Sequence, residues 1–206
     1  VGASGDDDKA VDAGRIFVTL SDFAPGSSSG LADVASGSFI IDGVSAGDQA
    51  GFSVAGIADL NGDGRGELLI GAPGMNNTAS KVDAGAAFVI WGPSSFAGGV
   101  GLADPFSGGG KGYAIKGEAA GDAAGYTVLS VGDMNGDGRA DMLVGAPGQD
   151  AGGTDAGAAY VIWGKTTASA VQLTNVAAGT GGFKINGLSA GDAVGTALGG
   201  LGDQNG

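Results

Sequence analysis

A pattern that recurs every 70 to 74 residues is the feature that most constrains the fold of this chain. One landmark of the pattern reads FIIDGVSAGDQAG at 39–51, YAIKGEAAGDAAG at 113–125 and FKINGLSAGDAVG at 183–195. A second landmark reads VDAGRIFV at 11–18, VDAGAAFVIWG at 82–92 and TDAGAAYVIWG at 154–164. A period of this length holds several secondary-structure elements. The chain is therefore expected to consist of copies of one supersecondary unit.

Each copy contains four short apolar runs bounded by Gly, Asp, Asn and Pro, which predicts four antiparallel strands joined by turns. In one copy the runs are GYTVLSVGD, ADMLVGAP, GAAYVIWG and FKING. No window shows a sustained helical period, and the Gly-, Ser-, Ala- and Thr-rich segments 93–112 and 165–182 are expected to be loops. Four strands per repeat at a fixed period are typical of β-propeller blades, so the predicted fold class is all-β.

The repeats divide the chain into copies of one propeller segment that spans residues 1–206. Residues 39–112 and 113–182 form complete repeats, and residues 1–38 and 183–206 form partial ones. Propellers usually contain 4–8 blades. We therefore expect the segment to belong to a larger propeller. Its further blades would come from a longer chain or, alternatively, from other copies of this chain.

The composition excludes several function classes. The net charge is −13 with nine Lys and Arg residues, which argues against binding of nucleic acid through phosphates. The chain contains no Cys and no His, which excludes thiol nucleophiles, Ser-His triads and zinc sites of the usual ligand set. No apolar stretch approaches about 18 residues, so membrane insertion is not expected. We expect no catalytic residues, and hence no enzyme.

The acidic loop DLNGDGRGE at 59–67 has the pattern of a cation site. Oxygen-bearing side chains alternate with glycines, which permit the tight turns needed to curl a backbone around an ion. Calcium takes 6–8 oxygen ligands at about 2.3–2.6 Å. The predicted calcium ligands in this loop are the side chains of Asp59, Asn61, Asp63 and Glu67 and the backbone carbonyl of Arg65.

A second loop, DMNGDGRAD at 133–141, repeats this pattern. Its predicted calcium ligands are Asp133, Asn135, Asp137, the carbonyl of Arg139, and Asp141. A third loop begins at Asp203 and Asn205 and is incomplete within the sequence, so two complete sites are expected. Neither complete loop is an EF-hand, because the twelfth position, which needs a bidentate Glu, is Ile70 or Val144.

Two other interpretations of the loops stay open at this stage. Asp, Asn and Gly also form plain polar turns, and clustered carboxylates can be catalytic. Three carboxylates within nine residues repel one another by about 1–4 kcal/mol per close pair unless a cation is present, which favours calcium. The recurring acidic residues Asp48, Asp122 and Asp192 are instead expected to be turn or capping carboxylates, and a role in facing a polar ligand stays open as an alternative.

The segments AGFSVAGIADLNGDGRGELLIGAP at 50–73 and AGYTVLSVGDMNGDGRADMLVGAP at 124–147 resemble FG-GAP repeats. These repeats form the blades of the β-propeller in integrin α-subunits and in related bacterial surface and secreted proteins. The resemblance implies a propeller with a calcium ion in the hairpin loop of each motif-bearing blade, held by the two ligand sets given above. Glu67 stands where the family usually has Asp.

The resemblance also implies a function. We expect a secreted or cell-surface calcium-binding protein, in which calcium is structural and the propeller serves cell adhesion or recognition of a partner or matrix. The expected partners are proteins or glycans at the cell surface, besides further blades. Two alternatives stay open: an accessory, non-catalytic propeller of a secreted hydrolase, and an architectural repeat of a surface sheath or filament.

Overall fold

The structure, a computed structural model, describes residues 1–8, 10–19, 38–92, 100–102 and 111–200. These residues form thirteen strands and one helix of five residues, so the prediction of an all-β chain is confirmed. In chain order the elements are β1 (Gly2–Ala3), β2 (Arg15–Thr19), β3 (Ser38–Asp42), β4 (Ser53–Ile57), β5 (Glu67–Ala72), β6 (Ala86–Ile90), β7 (Val100–Gly101), β8 (Gly112–Lys116), β9 (Thr127–Gly132), β10 (Asp141–Ala146), β11 (Ala158–Ile162), β12 (Val171–Gln172), α1 (Leu173–Ala177) and β13 (Gly182–Asn186).

The strands form three sheets, one for each set of repeat landmarks. The first sheet has the order β1-β2-β3-β7, the second β12-β8-β6-β5-β4, and the third β13-β11-β10-β9. In the second and third sheets four consecutive long strands pair antiparallel, as expected for propeller blades. The three sheets do not close a ring within the described part of the chain.

The second and third sheets share one register. Leu69 pairs with Ala55 on one side and with Val89 on the other, and Val89 pairs with Tyr113. The corresponding row of the third sheet consists of Leu129, Leu143, Val161 and Phe183. Each residue of the second sheet can therefore be matched to one of the third.

The sheets are phased differently from the sequence repeats. The strand that opens each repeat, near residues 39, 113 and 183, is the last long strand of the preceding sheet: β3 for the first sheet, β8 for the second and β13 for the third. The first strand of each sequence repeat therefore belongs to the sheet that precedes the rest of that repeat. The boundaries between repeats stay a prediction.

Short strands tie neighbouring sheets together at their outer edges. β7 lies between β6 and β8 in sequence but pairs in parallel with β3 of the first sheet. In the same way β12 lies between β11 and β13 but pairs in parallel with β8 of the second sheet. Each short strand thus covers an outer edge that would otherwise expose unpaired backbone groups.

These strands correct the prediction that 93–112 and 165–182 are loops. The first segment contains β7, and the second contains β12 followed directly by α1. A strand of two residues is too short to give a periodic pattern, so the sequence carried no local signal for it. Each short strand is followed by a buried leucine, Leu102 after β7 and Leu173 after β12, which anchors the crossing segment in the core.

The core lies between the sheets rather than within one of them. One cluster, which includes Ile16, Ile41, Ile70, Phe88 and Leu102, separates the first and second sheets. The other separates the second and third sheets; among its members are Leu69, Val89, Tyr113, Met142, Tyr160 and Leu173. Because successive side chains of a strand point to opposite faces, the second sheet is buried on both sides. This double burial explains the continuous apolar run of β5 and β6.

Glycines let β5 and β10 approach closely the segments that follow β8 and β13. A Cβ atom on Gly71 would lie 2.0 Å from the carbonyl oxygen of Gly125, and one on Gly145 would lie 2.1 Å from that of Gly195. Nearby, the rings of Phe52 and Tyr126 pack with their centroids 4.7 Å apart. The same backbone-to-backbone contact therefore occurs at β5 and again at β10.

Candidate metal centre

The first acidic loop connects β4 to β5 and is organised around Asp59. The carboxylate of Asp59 accepts hydrogen bonds from the backbone N–H groups of Gly62 (2.7 Å), Asp63 (3.1 Å) and Gly64 (2.8 Å). Gly62 and Gly64 both have a φ of 82°, a conformation that side chains disfavour. The N–H bonds, led by that of Gly64, hold the pKa of Asp59 below its ordinary value.

The next two polar side chains of the loop continue the turn. Asn61 Oδ1 accepts the N–H of Asp63 at 2.9 Å, and Asp63 Oδ1 accepts the N–H of Arg65 at 2.9 Å. The Arg65 guanidinium lies 3.5 Å from Asp63 Oδ2. Asp59, Asn61 and Asp63 thus all belong to one compact loop, and their role as calcium ligands, like that of the Arg65 carbonyl, stays a prediction.

Glu67, the last predicted ligand of the first loop, is the first residue of β5 and is 3% exposed. Its Oε2 accepts the N–H of Leu60 at 2.5 Å. Its Oε1 is buried and has no hydrogen-bond partner within the part of the chain that the structure describes. Burial raises the pKa of Glu67, and the negative charges of Asp59 and Asp63 raise it further. The backbone N–H groups of Leu60 and Gly92 offset part of this rise.

One carboxylate oxygen from each of Asp59, Asp63 and Glu67 lies within 4.8 Å of the other two. Two oxygens bound to the same calcium ion can be separated by at most twice the metal–oxygen distance, which is about 4.6–5.2 Å. The three oxygens therefore fit one calcium ion.

The second loop, between β9 and β10, reproduces most of this geometry. Asp133 accepts the N–H groups of Gly136 (2.7 Å), Asp137 (3.0 Å) and Gly138 (2.7 Å). Asn135 Oδ1 accepts the N–H of Asp137 at 2.9 Å. Asp137 Oδ1 accepts the N–H of Arg139 at 3.0 Å. The two loops are therefore built by the same local hydrogen bonds.

The two loops differ at their last position. Asp141 is fully buried, and both of its oxygens are hydrogen-bonded: Oδ2 accepts from the N–H groups of Met134 (2.8 Å) and Asn135 (3.3 Å), and Oδ1 from that of Gly164 (2.8 Å). Among the described residues, the tight group of three carboxylates occurs in the first loop and not in the second. The carbonyl of Arg139 as a ligand stays a prediction. The third loop, Asp203 to Asn205, lies outside the described residues.

The recurring turn carboxylates behave as predicted. Asp48 accepts the N–H of Ser45 at 2.8 Å, Asp122 accepts that of Ala119 at 2.9 Å, and Asp192 accepts those of Leu188 and Ser189 at 3.1 and 2.9 Å. They stabilise the segments that lead from one sheet to the next.

One polar cluster was not predicted from the sequence. Glu118 Oε2 accepts hydrogen bonds from Tyr160 Oη at 2.6 Å and from Lys184 Nζ at 2.9 Å. Tyr160 and Lys184 are 42 and 66 positions away from Glu118 along the chain, so no local motif joins the three. The cluster links the segment after the second sheet to the face of the third. The two hydrogen bonds and the ion pair between Glu118 and Lys184 connect the two sheets.

The helices of the described residues include none that is long and apolar enough to cross a membrane. This agrees with the sequence, which has no extended apolar stretch.

Comparison with known families identifies the repeats. The family model described as FG-GAP repeat matches residues 50–90 and 124–162, and each match contains one acidic loop and the three strands around it. A search of curated proteins returns no match. FG-GAP repeats indicate a β-propeller-type domain and are typical of extracellular proteins. The chain therefore contains two FG-GAP repeats, at residues 50–90 and 124–162, and each repeat supplies three consecutive antiparallel strands of one sheet, as β-propeller blades of this family do.

Proposed function

We propose that this chain is a calcium-stabilised propeller segment of an extracellular or cell-surface protein. The observation that carries the proposal is the convergence of Asp59, Asp63 and Glu67 within 4.8 Å, with the buried Oε1 of Glu67 lacking a donor among the described residues. A plain polar turn does not require a buried carboxylate. Calcium would neutralise the three charges and hold the β4–β5 hairpin in one conformation.

The same proposal extends to the second loop and to the biological role. Asp133, Asn135 and Asp137 follow the hydrogen-bonding pattern of the first loop. Calcium-binding modules of extracellular proteins typically have Kd values of about 10⁻⁴–10⁻³ M, so such sites are filled outside cells. We further propose that the chain is non-enzymatic and recognises protein or glycan partners in adhesion or matrix assembly.

Thermal unfolding with and without calcium tests the structural role of the ion. At a free calcium concentration of about 100 Kd, binding to the folded state adds about 2.7 kcal/mol to the free energy of unfolding. A chelator is therefore expected to lower Tm by several degrees. The double variant Asp59→Asn, Asp133→Asn is the control, since it should show the low Tm in both conditions. Superimposable melting curves of the unmodified chain in calcium and in chelator would contradict the proposal.

A second proposal concerns the outer face of the third sheet, which we infer receives a further sheet of the same kind. Phe183 is 40% exposed and Ile185 is 48% exposed, whereas the matched residues Tyr113 and Ile115 of the second sheet are fully buried by the third. In addition, β13 is an edge strand within the described part of the chain, while β3 is paired with the short strand β7 and β8 with the short strand β12.

The further sheet can come from a longer chain or from a second copy, and sedimentation distinguishes the two sources. If a second copy supplies it, these 206 residues should associate in a concentration-dependent manner. If a longer chain supplies it, a protein extended past residue 206 should be monomeric and should protect β13 from hydrogen exchange. A monomer in which β13 exchanges freely in both proteins would contradict the proposal.

A further inference from the structure

The loop that joins β5 to β6 contains the tripeptide Asn76-Asn77-Thr78, which has the pattern Asn-X-Thr. In secreted proteins this pattern, with any X except Pro, is the acceptor of N-linked glycans and lies on surface loops. The tripeptide also occurs by chance in many chains. The surroundings of Asn76 in the fold therefore decide whether its side chain can carry a sugar.

The side chain of Asn76 is exposed, and the fold uses one of its two polar atoms. Its Oδ1 accepts the N–H of Asp83 at 2.7 Å. Asp83 has a φ of 50°, so this hydrogen bond holds a left-handed residue just before β6. Nδ2, the atom to which a glycan would be attached, donates no hydrogen bond among the described residues. A glycan on Nδ2 would therefore leave the bond to Asp83 in place.

The other two repeats place a carboxylate at the position of Asn76. Asp7 Oδ1 accepts the N–H of Asp12 at 2.7 Å, and Asp150 Oδ1 accepts the N–H of Asp155 at 2.8 Å. Asp12 and Asp155 are also left-handed, with φ of 52° and 53°. The fold thus needs an acceptor oxygen at this position, and a carboxylate supplies it. The amide of Asn76 adds a nitrogen that this hydrogen bond does not require.

The loop of Asn76 is also longer than the corresponding loops of the other repeats. Asn76 and Asp83 are 7 positions apart, whereas each of the other two pairs is 5 positions apart. Within the longer loop Asn77 turns inward, and its Nδ2 donates to the carbonyl oxygen of Gly85 at 2.9 Å. Thr78 is exposed. The loop therefore presents Asn76 and Thr78 to solvent while Asn77 anchors it to the sheet.

We propose that Asn76 is the acceptor of an N-linked glycan. The inference rests on the proposed extracellular location, because such glycans are added during export. The donor is an oligosaccharide joined through a diphosphate to a lipid, and a membrane-bound transferase catalyses the step. A bond forms between Asn76 Nδ2 and the anomeric carbon, and the bond from that carbon to the diphosphate oxygen breaks. The lipid diphosphate leaves with the electron pair, Nδ2 loses one proton to a base of the transferase, and no oxidant or reductant is needed.

A glycan at this place would not obstruct the first acidic loop. That loop ends where β5 begins, and Asn76 lies beyond the other end of the strand. β5 has six residues and therefore spans about 20 Å. Glycosylation and calcium binding are thus expected to be independent of each other.

Peptide mass spectrometry of the full-length protein, taken from the cells that produce it and from their medium and surface, tests the inference. Trypsin cuts after Arg65 and Lys81 and so releases peptide 66–81, which contains Asn76 and Asn77. The exported peptide is expected to carry the mass of a glycan. Release of the glycan by an amidase in water labelled with heavy oxygen should convert Asn76 to Asp and leave Asn77 unchanged. Unmodified Asn76 in the exported protein would overturn the inference and leave the extracellular location intact, whereas a protein found only inside cells would overturn both.

Three variants produced in the same cells assign the glycan to this tripeptide. Asn76→Asp removes Nδ2 but keeps the acceptor oxygen that Asp7 and Asp150 supply in the other repeats. Thr78→Ala removes the hydroxyl group of the pattern and leaves Asn76 in place, and both variants should lose the glycan completely. Thr78→Ser is the matched control, since it keeps the pattern and should keep the glycan. Both glycan-free variants should melt at the temperature of the unmodified protein after amidase treatment. A glycan that persists in Thr78→Ala would overturn the assignment.

Discussion

Gly71 shows how a single residue sets the distance between two sheets. A Cβ atom at this position would lie 2.0 Å from the carbonyl oxygen of Gly125, much closer than any van der Waals contact permits. Gly145 of β10 makes the same approach to Gly195, which lies in the segment after β13. At these positions glycine is required by the neighbouring sheet and not by a turn. Gly56, in the adjacent strand β4, faces open space instead, since a Cβ atom there would meet no heavy atom within 4 Å.

Gly71→Ala is therefore expected to destabilise the chain, and Gly56→Ala is its matched control. The added methyl group at position 71 must push the second and third sheets apart, and such overpacking costs about 1–3 kcal/mol. At position 56 the methyl group enters open space and should leave stability unchanged or raise it slightly. Urea unfolding measures both. A similar free energy of unfolding for the two variants would contradict the close-approach argument.

Asp122 shows the effect of burial on a turn carboxylate. It is 3% exposed, and this burial raises its pKa to about 6, although the N–H of Ala119 partly offsets the effect. The ordinary pKa of an Asp is 3.8. Between about pH 4 and 6 Asp122 is therefore protonated more often in the folded chain than in the unfolded chain. The contribution of Asp122 to the free energy of unfolding is therefore most favourable below about pH 4, and it decreases as the pH rises through 6.

Asp122→Asn should remove this pH dependence. The amide keeps an acceptor for the Ala119 N–H but carries no charge, so the variant should be more stable than the unmodified chain at pH 7 by about 1–3 kcal/mol. At about pH 4 the two should be nearly equal. Asp192→Asn is the control, because Asp192 occupies the same repeat position and is exposed. A constant difference between the Asp122 variant and the unmodified chain from about pH 4 to 7 would refute the assignment.

At the scale of the element, β12 and α1 form one crossing unit. β12 pairs with β8 of the second sheet through two residues, and α1 then places Leu173 and Val176 in the core between the second and third sheets. A helix of five residues is not stable by itself. Its stability must come from the two buried side chains, while Thr174 and Asn175 face solvent.

Leu173→Ala is expected to reduce the free energy of unfolding by about 2–5 kcal/mol, because it leaves a cavity between two sheets. Thr174→Ala, one residue further on, should have an effect below about 0.5 kcal/mol. Hydrogen exchange should also show that the N–H groups of β8 lose protection in the Leu173 variant. If α1 unfolds in this variant and the N–H groups of β8 are still protected from exchange, the crossing unit does not hold the two sheets together.

At the scale of the whole molecule, position in the stack decides whether an apolar residue is buried. Ile115 and Ile185 occupy matched positions in the second and third sheets, and yet Ile115 is fully buried and Ile185 is 48% exposed. Leu60 and Met134, the second residues of the two acidic loops, differ in the same way, at 2% and 54% exposed. The difference arises because the third sheet covers Ile115 and Leu60, whereas Ile185 and Met134 lie on the side of the third sheet that no described sheet covers.

Ile115→Lys and Ile185→Lys should therefore have opposite outcomes despite the equivalent sequence positions. A lysine at 115 would place a charge in the core between two sheets and should prevent stable folding. A lysine at 185 should change stability by less than about 0.5 kcal/mol and should abolish any association through the third sheet. Circular dichroism melting and sedimentation measure the two effects. A large loss of stability in the Ile185 variant would show that this face is covered within the chain itself.

The sequence by itself determined the all-β class, the number of long strands per repeat and the composition of both acidic loops. These properties depend on local signals: turn residues, short apolar runs and side-chain spacing, each of which acts over fewer than about ten residues. The hydrogen bonds within the loops were equally accessible, because Asp59 and Asp133 bond to N–H groups no more than five residues away.

The tertiary structure alone decided which side chains lie between sheets and how the two acidic loops differ. Glu67 and Asp141 occupy the same place in the repeat, and the three carboxylates of the first loop lie closer together than those of the second once β5 and β10 have been placed against their neighbours. The parallel strands β7 and β12, and the contact of Glu118 with Tyr160 and Lys184, join residues far apart in the chain. Local sequence cannot specify such contacts, because their free energy arises from burial and pairing between sheets that exist only after the chain has folded.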